Sequence, residues 1–329
     1  MTSAADRPAL VAHARSVIAR GSKSFAAASR LFDRKTRERV WLLYAWCRAC
    51  DDIADAQDLG GALGDQSGAA ERLARIRRLT ALALAGTPTG EPSFDCFAVV
   101  AQECALTPAM AEDVIAGFAL DAADWQPRSE ADLLQYCYHV AGAVGVMMAA
   151  VMGVPASDDD TLDRASDLGI AFQLGNIARD LAEDDRAGRC YLPANWLAEA
   201  DIPPGEQLKP PFRPALAGIA HRMAALAADY ETSARIGAAR LRWRQRWAVL
   251  AAAGIYGAIA REVAARGEHA WDRRVRTGRA AKLGHVASGL LGVLRRPKLV
   301  APPLAWSRRE LAARGRALRI AAAERSPAD

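Results

Sequence analysis

Apolar positions recur at three- and four-residue intervals along most of the 329 residues, and alternating Val/Ile/Thr runs of the strand type are nearly absent. The spacing predicts helices over 6–20, 34–55, 70–85, 94–105, 108–122, 130–152, 161–185, 215–238 and 243–266. In the second of these, Val40, Leu43, Tyr44 and Cys47 fall at helical spacing. Gly21 ends the first helix before "SKSF", and a glycine-rich stretch at 56–68 reads as a loop. "GTPTGEPS", "DWQPRS", "GVPASDDD" and a proline-rich connector at 201–214 punctuate the rest. Past 266 the chain reads as a basic, loop-like segment over 267–282, then a helical region broken at "RRPKLVAPP". No fixed-period repeat, low-complexity tract or shift of composition divides it. The expectation is an all-α fold: one helical-bundle domain over 1–329, about a dozen helices around a central cavity.

Composition adds little to the fold and more to the partners. Six cysteines in a chain this long are no disulfide framework. No charged start, apolar core and cleavage site mark a signal peptide, so a cytoplasmic protein with reduced thiols is expected. With His139 taken as a break, the longest stretch free of formal charge is 140–157, and it contains Gly142, Gly145, Gly153 and Pro155. It falls short of the roughly 20 apolar residues of a membrane span and reads as a buried helix and its exit. Charge is uneven. Residues 261–329 hold 16 Lys/Arg against 6 Asp/Glu, a net +10, leaving −5 for the first 260. A basic tail on a mildly acidic body suits an anionic partner or a solvated helical face.

Two acidic clusters carry the chemistry. One is Asp51-x-x-x-Asp55 in "YAWCRACDDIAD"; the other is Asp180-x-x-x-Asp184 in "QLGNIARDLAEDD". Residues four apart share a helix face, so each pair projects two carboxylates one way, a mildly unfavourable arrangement until a cation reverses the sign. Mg²⁺, or Mn²⁺ as a second hard ion, takes oxygen ligands and shares them with substrate phosphates. Two such faces opposed across a bundle would cage a metal–diphosphate. Arg48 precedes Asp51 by three residues and can pair with a carboxylate or a phosphate. Gln173, Asn176, Asp180 and Asp184 form one polar stripe on a helix that is otherwise apolar, which is costly unless it faces a polar cavity. Tyr44, Arg48, Asp51 and Asp55 make the matching line, with Asp52 off it. Arg179 points away from the Asp180 face and would reach a phosphate or pair with an acid.

Other signals are weaker. Cys47-x-x-Cys50 lacks a second pair for zinc, since Cys96, Cys104, Cys137 and Cys190 are scattered singly, and no strand precedes it as a thioredoxin-like motif requires. There is no HExxH, no Walker loop and no GxGxxG after a strand. "LRWRQRW" (241–247) interleaves Arg with Trp and fits a plain helix, a membrane-interface helix or base stacking.

The stretches "GSKSF" (21–25), "YAWCRACDDIAD" (44–55), "YCYHVAGAVG" (136–145) and "AFQLGNIARDLAEDDRAGRCYLP" (171–193), with the helix holding Tyr256, resemble the squalene/phytoene synthase family of head-to-head prenyl synthases, in order and in spacing, over about 10–290. Gly175 departs from the threonine usual there. The resemblance implies the isoprenoid synthase fold. It also implies Mg²⁺-dependent condensation of two geranylgeranyl diphosphates through prephytoene diphosphate to phytoene, without NADPH. Asp51, Asp55, Asp180 and Asp184 are then the expected metal ligands, with Asn176 and Gln173 in support. Arg48, Arg179, Ser22 and Lys23 are expected near the phosphates. Phe25, Tyr44, Tyr136, Tyr138 and Tyr256 are candidates to line the pocket for the allylic cation. Gly142 and Gly145 would permit close helix approach or leave room for a prenyl chain. No catalytic base is evident, and released diphosphate would take the final proton.

A C40 hydrocarbon must leave into lipid, so the resemblance turns the basic region over 267–329 toward peripheral contact with the inner face of the membrane, with downstream carotenoid enzymes as further partners and no nucleic acid. A C30 squalene or dehydrosqualene synthase using farnesyl diphosphate is the alternative. A non-catalytic scaffold is a further one, although it would be expected to have eroded acidic motifs.

Overall fold

The computed structural model describes residues 7–57, 64, 68–295 and 298–323. Most of the loop at 56–68, the side chain of Lys23 and the last six residues lie outside them. No strand occurs among the described residues. The helices are α1 (Arg7–Gly21), α2 (Lys23–Ser29), α3 (Arg34–Ala54), α4 (Ala69–Leu84), α5 (Pro92–Cys104), α6 (Pro108–Ala122), α7 (Glu130–Cys137), α8 (Ala143–Val151), α9 (Asp159–Arg186), α10 (Ala194–Glu199), α11 (Arg213–Ala238), α12 (Trp243–Arg266), α13 (Arg279–Arg295) and α14 (Arg308–Ala323).

Their starts follow local chemistry. Asp33 caps α3 by accepting from the Thr36 N–H at 3.0 Å, Ser129 and Asp132 form a reciprocal capping box on α7, and Pro92 and Pro108 occupy first-turn positions. Inside, Trp46 is fully buried and stacks on Phe97 at 4.2 Å, while its indole N–H donates to Thr80 Oγ1 at 3.2 Å. That bond removes the cost of burying the indole nitrogen.

The stretch expected as one helix over 130–152 is interrupted. Residues Tyr138–Gly142 form a π-helical turn between α7 and α8. Close packing against α9 accompanies it: a Cβ on Gly145 would lie 2.3 Å from the Ala165 carbonyl oxygen, and one on Gly169 would lie 2.2 Å from that of Ala141. Of the two uses expected for these glycines, the structure has close backbone approach. Two short helices, α2 and α10, escaped the periodicity because each is too short to show a repeat. Helix α13 begins at Arg279, inside the segment expected to be loop-like.

Glu130–Val151 and Trp243–His269 are long and apolar enough to cross a membrane by length and composition, and two-thirds and half of their apolar windows are buried within the bundle. Not all of the basic tail is a solvated face. In α14, Arg308 pairs with Asp159 at 2.6 Å and Arg314 with Asp132 at 3.0 Å, and Gly315 lies against the buried His139.

Candidate active site

Both acidic pairs sit in the last turns of their helices. Asp51 lies in the final turn of α3, which Asp55 caps, and Asp180 and Asp184 precede the end of α9 at Arg186. Each helix therefore directs the negative end of its dipole toward its own carboxylates. The two ends meet at Arg189, which acts on Asp51, Asp55 and Asp184. Asp51 and Asp55 line a cleft with Asp121 of α6 and Arg189, Asp121 interacts electrostatically with Asp55, and Asp184 with Asp180 and Asp121.

Burial is the main reason that Asp51, Asp121 and Asp184 are hard to ionise. It pushes Asp51 up to about 6, helped by Asp55 and Asp52 and opposed by Arg48. The Asp51 side chain keeps 41% of its surface, but that surface faces the cleft rather than bulk solvent. Burial pushes Asp184 to about 7, with Asp180 adding to it and Arg189 opposing. Asp121 rises to about 6, again through burial, although the hydroxyls of Tyr191 and Tyr136 donate to it at 2.9 and 3.0 Å. Asp180 goes the other way: burial would raise it, but Arg179 and Arg274 outweigh that and hold it below the usual carboxylate range. Arg274 grips it with two 2.8 Å bonds. Of the two roles open to Arg179, the structure has the pairing with its neighbour Asp180, at 2.6 Å from Nε.

Arg48 bonds Asp51 at 2.9 Å and Asp52 at 2.5 Å. Asp52, off the expected line, is thus a direct partner of the arginine. The stripe of α9 is present as read: Gln173, Asn176, Asp180 and Asp184 are half-buried, while Leu174, Ile177, Ala178 and Leu181 are buried. Asn176 Nδ2 donates to Gln173 Oε1 at 3.5 Å. Gly175 lies against α12 at Ala260 and the Tyr256 carbonyl, so the departure from threonine falls on a helix contact beside Tyr256.

"GSKSF" packs on the α3 line. A Cβ on Gly21 would lie 2.6 Å from the Tyr44 hydroxyl, and Phe25 meets the Tyr44 ring at 5.6 Å. Ser22 caps α2, accepting from the Phe25 N–H at 3.3 Å. Burial pushes the Tyr44 hydroxyl to about 12; Arg48 and Tyr256 are among the groups acting on it. Tyr256 stacks on Phe172 at 4.3 Å and interacts with Arg179. Tyr136 stacks on Tyr191 at 4.7 Å beside Asp121. Tyr138 is a correction: its hydroxyl donates to Asp113 at 2.7 Å, with Arg308 and Arg316 of α14 nearby. Two residues beyond Tyr136, it lies on the other side of the helix, toward α6 and α14 rather than toward Asp121.

The cysteine pair takes no part. Burial raises the Cys47 thiol to about 12 and Cys50 well above its ordinary value, so both are protonated.

Asp121, Arg189, Tyr191 and Arg274 were not picked from sequence. Arg189 follows α9 through Gly188, whose φ of +72° suits glycine and reverses the chain so that Arg189 reaches Asp55 at 3.1 Å. Arg189 and Tyr191 lie in "RAGRCYLP", a recognised stretch whose side chains had no assigned role. Arg274 is positioned by Trp271, a buried indole donating to the Ala178 carbonyl of α9 at 2.9 Å.

No three of the described carboxylate, thiol or imidazole groups converge to hold a metal by themselves. The donor set fits a hard cation that completes its shell with water and phosphate. Hard-to-ionise carboxyls from two helix C-termini, all oxygen donors, gather around one cleft, and a cation lowers the cost of ionising them.

The squalene/phytoene synthase family model matches residues 18–281. The chain belongs to this family. It is 46% identical to a phytoene synthase of Pseudescherichia vulneris over 279 residues, covering 84% of this chain and 90% of that one. It is also 46% identical to a 15-cis-phytoene synthase of Pantoea ananas over 280 residues, with the same coverage. Among solved structures, a dehydrosqualene synthase superposes with a TM-score of 0.78 at 24% identity, covering 89% of this chain and 99% of that one. A squalene synthase of Alicyclobacillus acidocaldarius superposes at 0.71 and 19%, covering 80% and 97%. These structural likenesses establish the isoprenoid synthase fold. The family uses a divalent metal to bind diphosphate, and membership implies a prenyl diphosphate substrate.

Proposed function

We propose that the chain is a phytoene synthase, joining two geranylgeranyl diphosphates head to head through prephytoene diphosphate to phytoene in carotenoid biosynthesis. The observation that carries this reading is a cleft lined by Asp51, Asp55, Asp121 and Arg189, with Asp184 within the electrostatic reach of Arg189 and Asp121 and with Arg48, Arg179 and Arg274 paired to the acidic clusters, in a chain 46% identical to relatives named for that activity.

Mg²⁺ held by Asp51, Asp55, Asp180 and Asp184, with Asn176 beside them, would act as a Lewis acid on the leaving diphosphate. The protein's own groups do the rest. Arg179 and Arg274 rest on Asp180, and an arriving phosphate competes with that carboxylate for both forks, which match phosphate oxygens in a bidentate way. Arg48 and Arg189 hold the opposite rim. Ionisation leaves an allylic cation, and the half-buried rings of Phe25, Tyr44, Phe172 and Tyr256 offer it π-faces. The Tyr44 hydroxyl stays protonated through the neutral range, so it carries no negative charge that would trap the cation. The last proton leaves to released diphosphate, and no hydride is consumed.

Incubating the pure protein with Mg²⁺ and either geranylgeranyl or farnesyl diphosphate, with and without NADPH, tests this. The expected product is C40, formed from the C20 substrate equally in both conditions. A C30 product made in preference would overturn the substrate assignment, and a yield that depends on NADPH would overturn the reaction.

A further inference from the structure

Among the described residues, the exposed large apolar side chains fall at 243 and within 283–300. They are Trp243 at 56%, Leu283 at 71%, Leu291 at 48%, Leu294 at 71%, Leu299 at 40% and Val300 at 87%. Leu283, Ala287, Leu291 and Leu294 fall at intervals of four, four and three, so they form one stripe along the outside of α13. The opposite side of α13 is fastened to α12. Gly289 lies against the Ala251 backbone, Trp247 donates its indole N–H to the Val286 carbonyl at 2.8 Å, and Arg246 donates to the Gly292 carbonyl at 3.1 Å. Trp243 stacks on that same Trp247 with ring centroids 6.3 Å apart, which sets it beside α13. A helix apolar on both sides, with one side already packed, has a second face made for another apolar medium.

Charge identifies the medium. No Asp or Glu occurs between Asp272 and Glu310, a run that carries ten Lys/Arg. Arg279 starts α13, Arg295 ends it, and Lys298 follows; Arg242 and Arg244 flank Trp243, and all five are exposed. A second copy seated on this stripe would bring that cationic run against itself. An anionic lipid surface complements it, since leucines and a tryptophan can enter the acyl boundary while arginine and lysine stems reach back to the headgroups.

We infer that the outer face of α13, extended by Trp243 and by Leu299 and Val300, docks the protein flat on an anionic bilayer. The inference rests on this surface alone, independently of the reaction proposed above. Most of the face lies beyond residue 281, where the family match ends.

The test uses the full chain and flotation with phosphatidylcholine vesicles, with and without phosphatidylglycerol. The protein should float with the anionic vesicles and less so with the neutral ones. Leu283→Asn, Leu291→Asn and Leu294→Asn combined should weaken binding to the anionic vesicles by about tenfold or more with unchanged circular dichroism, because the stripe supplies the apolar area. Arg295→Gln with Lys298→Gln should weaken binding to the anionic vesicles only. Three results would overturn the inference: no flotation of the parent protein, equal flotation of the asparagine variant, or a solution dimer that this variant dissolves, which would make the stripe a contact between copies.

Discussion

The acidic end of α3 and the acidic end of α9 carry the same spacing of aspartates and sit in different electrostatic states. In α3 the counter-charge is local: Arg48, on the same helix, reaches both Asp51 and Asp52, while Arg189 reaches Asp55 from across the cleft. In α9 it is lopsided. Two guanidiniums close on Asp180, while Asp184, one turn on, makes no ion pair among the described residues and, with Arg189 opposing only from a distance, is pushed to about 7. A carboxylate pair four residues apart is therefore not a fixed chemical unit. Its state is set by which arginines the loops deliver. The α3 wall carries its own neutralising charge, and the α9 wall has it concentrated on one carboxylate, which leaves Asp184 as the group that gains most from a cation.

The largest effect that could break this comparison is loss of the carboxylates themselves. Asp51→Ala and Asp184→Ala should each lower turnover of geranylgeranyl diphosphate by at least about 10³-fold while far-UV circular dichroism is unchanged. Turnover within tenfold of the parent in either variant would remove that wall from the site.

The delivered arginines come next. Arg274→Ala and Arg189→Ala should each cost roughly 10- to 100-fold in kcat/KM, because each removes one fork from a transferring diphosphate. If Arg274 served only to fasten its loop, Arg274→Lys would restore most of the rate; recognition by a bidentate fork predicts that it does not.

The smallest effect is on stability, and it has opposite signs on neighbouring turns of α9. Asp184 has a folded pKa above its unfolded one, so ionising it costs stability, and the cost grows as pH rises from about 4 to about 7. In metal-free buffer, Asp184→Asn should stabilise the fold near pH 8 by about 1–2 kcal/mol after allowance for screening by water in the cleft, a gain that fades toward about pH 4. Asp180 is held below its ordinary range, so its contribution is present above the unfolded pKa and is lost as pH falls below it. Asp180→Asn should therefore destabilise the protein near pH 8. Urea unfolding at the two pH values checks both, and equal signs would contradict the electrostatic contrast.

Sequence made much of this legible because helix faces are local. The line from Tyr44 through Arg48 and Asp51 to Asp55, and the stripe from Gln173 to Asp184, are readable from a 3.6-residue period. What was not readable depends on tertiary contact. Arg274 lies 94 residues from Asp180 and reaches it only because Trp271 bonds the Ala178 carbonyl. Asp121 ends an apolar helix and gains meaning only when Tyr136 and Tyr191 close on it. Tyr138 was grouped with the pocket aromatics by residue type, and its contacts with Asp113 of α6 and with Arg308 and Arg316 of α14 appear only in the fold. The resemblance supplied the family, and its motif segments already contained Arg189 and Tyr191 without indicating their contacts.

The central claim is that the two walls act as one site on one diphosphate. The direct measurement is a double-mutant cycle on diphosphate release from geranylgeranyl diphosphate, comparing Asp51→Ala, Asp184→Ala and the combined variant. A single site predicts that the double variant is about as slow as the slower single one, because either loss disables the same step. Losses that multiply, with the combined variant slower by the product of the two, would contradict it and make the walls independent.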